Sequence, residues 1–268
     1  MIDARAPIGV FDSGIGGLTV VRELIRQLPD ESIIYFGDTA RVPYGPKSPD
    51  TVRRYSKEIT TFLRDEGVKA VVVACNTATA HALPMLRQEL PVPVIGVVEP
   101  GARAAVRSSK SGRIGVIGTA GTIASGAYER AIRALAPNAC VAARPCPLFV
   151  PLVEEGWLDT EATRLIAHEY LEPLEVERID TLVLGCTHYP LLKPLLAEEL
   201  GSGVKLIDSA EETAAETART LATETLRAPK GTRPTRRFVA SDAPEQFLRV
   251  GQRFLGAAID RVEKHTLG

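Results

Sequence analysis

The feature that most constrains this chain is a series of short aliphatic runs spread along its length. They are "PIGVFD", "SIIYFG", "KAVVVAC", "VPVIGVV", "RIGVIG", "DTLVLGC", "VKLID" and "RRFVAS". A strand with one wet face alternates apolar and polar residues, and these runs do not alternate. They suit parallel strands buried on both faces. Longer segments with helical spacing lie between them, among them "GLTVVRELIRQL", "TVRRYSKEITTFLRDEG", "SGAYERAIRALA", "TEATRLIAHEYLEPL" and "SAEETAAETARTLATETL". Strands alternating with helices predict an α/β fold of the doubly wound type with mainly parallel sheets.

The 268 residues allow one large or two modest domains. At 45% hydrophobic and 24% charged, the chain is rich enough in apolar residues to bury a substantial core. A net charge of -1 gives no field to draw it to nucleic acid or to a membrane surface. No apolar run approaches the roughly 20 residues that span a bilayer, and "MIDARAPIGVFDSGIGG" has no secretory h-region. A cytoplasmic protein is therefore expected, with its four cysteines as reduced thiols. "RAPKGTRPTRR" reads as a solvated connection.

A faint internal repeat runs through the chain. "IGVFDSGIGG" begins at Ile8 and "IGVIGTAGT" at Ile114, an offset of 106. Cys75 in "VVVACNTAT" and Cys186 in "TLVLGCTHY" are 111 apart. Two copies of one α/β unit explain both offsets, and each copy then carries a thiol at the carboxyl end of a parallel strand. Open α/β sheets bind their ligands at that end.

A cysteine after a buried strand is ordinarily a small core residue. Here polar residues follow at once, Asn76 and Thr77 in one copy, Thr187 and His188 in the other. A zinc site of Cys75, Cys186 and His188 has no supporting CxxC or HxxxH pair. A cysteine hydrolase leaves the second thiol unexplained. Two facing thiols fit acid–base work better: one takes a proton from a carbon, the other returns one to the opposite face. An ordinary thiol, with a pKa of about 8.5, is only slightly ionised at neutral pH, so neighbours must tune it. His188 and Asp12 are the candidates. "DSGIGG" lacks the spacing of a nucleotide loop, but Ser13 and the amides ahead of a helix can hold a carboxylate. "VPYGPKSP" is a plain turn or a cover over substrate. Asn76, Thr77 and Thr187 offer groups for an amino acid's charges. Glu154 reads as a surface acid on its own residues, and His81, His168 and Trp157 as structural.

"GVFDSGIGGLTV", "PYG", "ACNTAT", "GCTHYPLL" and "DSAEETA" occur in an order that resembles the cofactor-independent glutamate racemases of bacterial cell-wall synthesis, over Ile8 to about Ala218. The resemblance implies two pseudo-symmetric α/β domains, residues 1–98 with 211–268 and residues 99–210, with the site in the cleft between them. It implies that Cys75 takes the α-proton of D-glutamate with help from Asp12. Cys186 takes that of L-glutamate with help from His188, and Glu154 stands nearby. Asp12, Ser13, Tyr44, Gly45, Asn76, Thr77, Thr187 and His188 would bind substrate. Aspartate-specific relatives typically carry Glu in place of His188, which points to glutamate. No pyridoxal phosphate, metal or nucleotide is expected, no nucleic acid is contacted directly, and D-glutamate would feed peptidoglycan. Dimers are common in the family, so a homodimer is expected. The alternatives are a regulatory protein acting on DNA gyrase, as some members do, and a racemase of another amino acid.

Overall fold

The computed structural model describes residues 2–267. The first half lays down β1 (Ile8–Asp12), α1 (Leu18–Gln27), β2 (Ile33–Gly37), α2 (Pro49–Asp65), β3 (Ala70–Val73), α3 (Asn76–Glu89) and β4 (Val94–Gly96). Helix α4 (Val98–Ser108) leads to a second series: β5 (Arg113–Gly118), α5 (Ala120–Ala124), α6 (Ala127–Leu135), β6 (Cys140–Pro145), α7 (Phe149–Glu155), α8 (Glu161–Val176), β7 (Thr181–Gly185), α9 (Lys193–Leu200) and β8 (Lys205–Asp208). Helix α10 (Ser209–Thr223) returns the chain to the first sheet, which gains β9 (Arg236–Ala240), α11 (Pro244–Leu255) and the two-residue β10 (Glu263–Lys264).

All strand pairs are parallel. The sheets run β10-β9-β2-β1-β3-β4 and β6-β5-β7-β8. The order β2-β1-β3-β4 is thus repeated as β6-β5-β7-β8, as two copies of one unit require. Alternate residues of each central strand face opposite cores, which explains the continuous apolar runs. Ala70 and Val72 join the core under α1 and α10, while Val71 and Val73 join the core under α2 and α3. In the second sheet Leu182 and Leu184 face the helices α7 to α9, and Val183 faces α4 and α6.

Two strands carry no sequence signal. "CVAARP" is the half-exposed edge β6, with neither an apolar run nor clean alternation, and β10 is too short for periodicity. "VPVIGVV" contributes only Val94–Gly96 to its strand, because Val98 already opens α4. Helix starts follow ordinary capping chemistry: Ser48 accepts from Thr51 N–H ahead of α2, and Asp208 accepts from Ala210 N–H ahead of α10. Helix α3 departs from it, for its cap is Cys75.

Candidate active site

The carboxyl ends of β1, β3 and β7 converge on one narrow cavity lined by Ser13, Tyr44, Gly45, Cys75, Asn76, Thr77, Cys186, Thr187 and His188, together with Val42, Pro43, Thr119 and Val150. The central sheet strands place them. Phe11 of β1 stands beside Val73 of β3, so Asp12 and Cys75 leave neighbouring strands side by side. Cys75 and Cys186 are 5% and 6% exposed, which leaves both sulfurs sheltered from bulk water.

The two thiols sit in unlike surroundings. Cys75 Sγ accepts from Ala78 N–H at 3.4 Å, at the start of the 14-residue helix α3, and its thiol donates to Ser13 Oγ at 3.7 Å. Burial and the neighbouring Asp12 carboxylate push this thiol up to about 12. Asp12 is fully buried. Its Oδ2 accepts from Gly17 N–H at 3.0 Å and Gly14 N–H at 3.3 Å, while Oδ1 has no partner among the described residues. Burial raises its carboxyl against the pull of His188 and these amides.

Cys186 Sγ lies 3.9 Å from His188 Nδ1, and His188 Nε2 lies 3.0 Å from Glu154 Oε1. Burial opposes charge on the imidazole, but the contacts with Cys186 and Glu154 outweigh it and hold His188 at about 10. Those contacts favour the charged form of the ring. Glu154, a surface acid by sequence, keeps a third of its side chain exposed and uses one oxygen to hold this ring.

The loop of residues 42–49 is fixed from below. Tyr44 hydroxyl and Arg41 Nε both donate to the buried Asp38, and Ser241 Oγ donates to its other oxygen at 2.8 Å. Tyr44 thereby commits its hydroxyl to Asp38, and Tyr44 and Gly45 both line the cavity. From the second half, Thr119 joins Thr77 at 2.8 Å, and Thr122 joins Thr77 at 3.1 Å. Sequence reading missed Asp38, Thr119 and Thr122. The signals were the acid at the end of "IIYFGD" and the hydroxyls of "GTAGT", the second-copy counterpart of "DSGIGG".

His81, His168 and Trp157 line no part of this cavity. His81 Nε2 meets Gly121 O at 3.2 Å, His168 is exposed, and Trp157, at 51% exposure, is no core residue. A wider groove between α3, α4 and α6, lined by Leu83, Val98 and Ala131, holds none of the proposed site residues.

An all-parallel repeated α/β fold with two thiols in one sheltered cavity defines the class. The chain belongs to the Asp/Glu/hydantoin racemase family, whose model matches residues 8–217. It is therefore an isomerase. Among its relatives, the glutamate racemase of Geobacter metallireducens is 55% identical over 97% of this chain and 96% of its own. A glutamate racemase isoform of Bacillus anthracis superposes with a TM-score of 0.93 at 44% identity, covering 99% of this chain and 98% of that one. The Francisella tularensis glutamate racemase, solved with D-glutamate, gives 0.92 at 40% identity and covers 98% of each chain.

Proposed function

We propose that this chain interconverts L- and D-glutamate by proton transfer at the α-carbon between two cysteines. The observation that carries the proposal is the placement of Cys75 and Cys186, each with its own acid–base partner, on one cavity. From L-glutamate, Cys186 as thiolate takes the α-proton while the His188 imidazolium balances its charge. The electron pair left on carbon spreads into the α-carboxylate. The Cys75 thiol then delivers its proton to the opposite face, giving D-glutamate with Cys75 as thiolate. From D-glutamate the roles reverse: Asp12 Oδ1, free to receive a proton, draws it from Cys75 so that this sulfur becomes the base, while the His188 imidazolium passes its proton to Cys186, whose thiol delivers it to the opposite face to give L-glutamate. Ser13, Asn76, Thr77, Thr187 and the amides of Tyr44 and Gly45 supply donors for the carboxylates, with Thr119 and Thr122 beside Thr77. Catalysis by a positioned acid and base typically contributes 10²- to 10⁴-fold each.

We infer a cleft between two units, residues 1–98 with 211–268 and residues 99–210, whose closure excludes water from the thiols. No helix among the described residues is long and apolar enough to cross a membrane. Action in the cytoplasm, supply of D-glutamate to peptidoglycan, pairing as a homodimer and contact with DNA gyrase rest on the resemblance to the family. Circular dichroism of L-glutamate incubated with the protein, without added cofactor, tests the activity. Optical activity should decay to zero with glutamate and far more slowly with aspartate. A preference for aspartate would replace the substrate, and no decay with either would overturn the function.

A further inference from the structure

Asn76 opens α3 directly after Cys75 and lines the cavity at 3% exposure. Its carboxamide is only half used. Oδ1 accepts from the Tyr128 hydroxyl at 2.7 Å, whereas Nδ2, itself buried, has no partner among the described residues. Buried amide groups are nearly always paired, so a donor left free in a ligand cavity calls for an acceptor supplied from outside.

Tyr128 reaches Asn76 from the other half of the molecule. It sits on α6, is 3% exposed, and belongs to the core between α4, α6 and the second sheet. Its ring lies against the backbone just before the second thiol: a methyl group on Gly185 would stand 3.1 Å from Tyr128 Cε2. A methyl group on Gly101, in α4, would stand 3.2 Å from its hydroxyl oxygen. One aromatic ring thus touches the segments that carry both cysteines. Burial raises the hydroxyl well above its usual range, so it stays a neutral donor at any working pH. With Oδ1 held by that donor, the amide has only its NH₂ edge left to offer, and an NH₂ group donates without accepting. Its match is an anion's oxygen.

We propose that Tyr128 is a positioning residue for the reaction: by holding Asn76 Oδ1 across the two halves, it presents the Asn76 amide to a carboxylate of the bound amino acid. The inference rests on the racemase reading above and extends it to a residue of the opposite half.

Tyr128→Phe keeps the ring and removes the donor. The Asn76 amide is then no longer aimed, and losing its hydrogen bond to the charged carboxylate should raise KM for both enantiomers roughly tenfold and change kcat much less. Asn76→Ala should raise KM similarly. Adding Tyr128→Phe to Asn76→Ala should then cost less than about twofold more, because residues acting through one another do not add. A tyrosine that only supports the fold would give losses that multiply in the double variant. That result, or an unchanged KM in Tyr128→Phe, overturns the proposal. If Tyr128→Phe does not fold, Gly101→Ala, whose methyl presses on the hydroxyl, takes its place in the same cycle with the same two outcomes. Wild-type protein that fails to racemise glutamate would sink the functional reading itself, whereas multiplying losses in an active enzyme sink only the role of Tyr128.

Discussion

Cys75 and Cys186 are chemically identical and electrostatically opposite. Burial and Asp12 keep Cys75 protonated, up to about 12, while Cys186 faces a ring whose contacts favour its charged form. On the proposed mechanism this difference suits one thiol to take a proton while the other gives one. Cys75→Ala and Cys186→Ala should each lower turnover by at least ~10²-fold with the fold intact, and the double variant should lose much less than the product. Near-normal turnover in either single variant, followed by circular dichroism, would mark that thiol as core packing. His188 also makes a statement about stability. Its pKa rises from 6.5 to about 10 on folding, so the folded state holds the proton more tightly. That contribution is fully present below pH 6.5 and is lost as pH rises through 10. Thermal midpoints of the wild type should therefore fall across this window more steeply than those of His188→Asn. Parallel profiles would mean that the ring is neutral in the folded protein.

The elements that carry these residues were legible to different degrees. Central strands announce themselves because burial on both faces leaves no charged residue in "AVVV" or "TLVLG". Edge strand β6, partly exposed along its whole length, has no such signature. The thiols, Asp12 and the hydroxyls beside them could be read because each follows a strong strand directly. Asp38 and Thr119 also follow strands directly, but their importance, like that of Tyr128, lies in contacts with residues far away in sequence, such as Asp38 with Ser241 or Tyr128 with Asn76. The loop between β1 and α1 shows how closely elements must approach here. A methyl group on Gly16 would collide with Thr187 Oγ1 and stand 2.5 Å from His188 Nδ1, the atom that faces Cys186. Gly16→Ala must displace His188, and displacement of a catalytic group by about 1 Å can cost 10²-fold. The variant should fold normally by far-UV circular dichroism and lose racemisation to that extent. Full activity would show that the loop is free to move away without consequence for the site.

At the scale of the whole molecule, the repeated strand order gives a nearly symmetric frame to the symmetric reaction proposed above. The strand order is repeated, and each copy delivers one thiol from the strand third in its series, β3 and β7. The two products have equal free energy in water, so any substitution must lower kcat/KM equally in both directions. The asymmetry of Asp12 against His188 is therefore expressed only in kcat and KM separately. Among the described residues no group of three or more His, Cys, Asp or Glu side chains is arranged to hold a metal ion. Dialysis against EDTA and treatment with a carbonyl reagent should leave the rate unchanged, and a loss restored by zinc or pyridoxal phosphate would contradict the two-thiol account. The central claim, that one thiol removes the proton and the other supplies a new one, is tested most directly by incubating protiated L-glutamate with the enzyme in D₂O and following the α-position by NMR at early times. The account predicts that newly formed D-glutamate carries deuterium at the α-carbon while the remaining L-glutamate still carries protium. Early D-glutamate that retains the substrate's protium would mean that a single base carries the proton from one face to the other, and would contradict it.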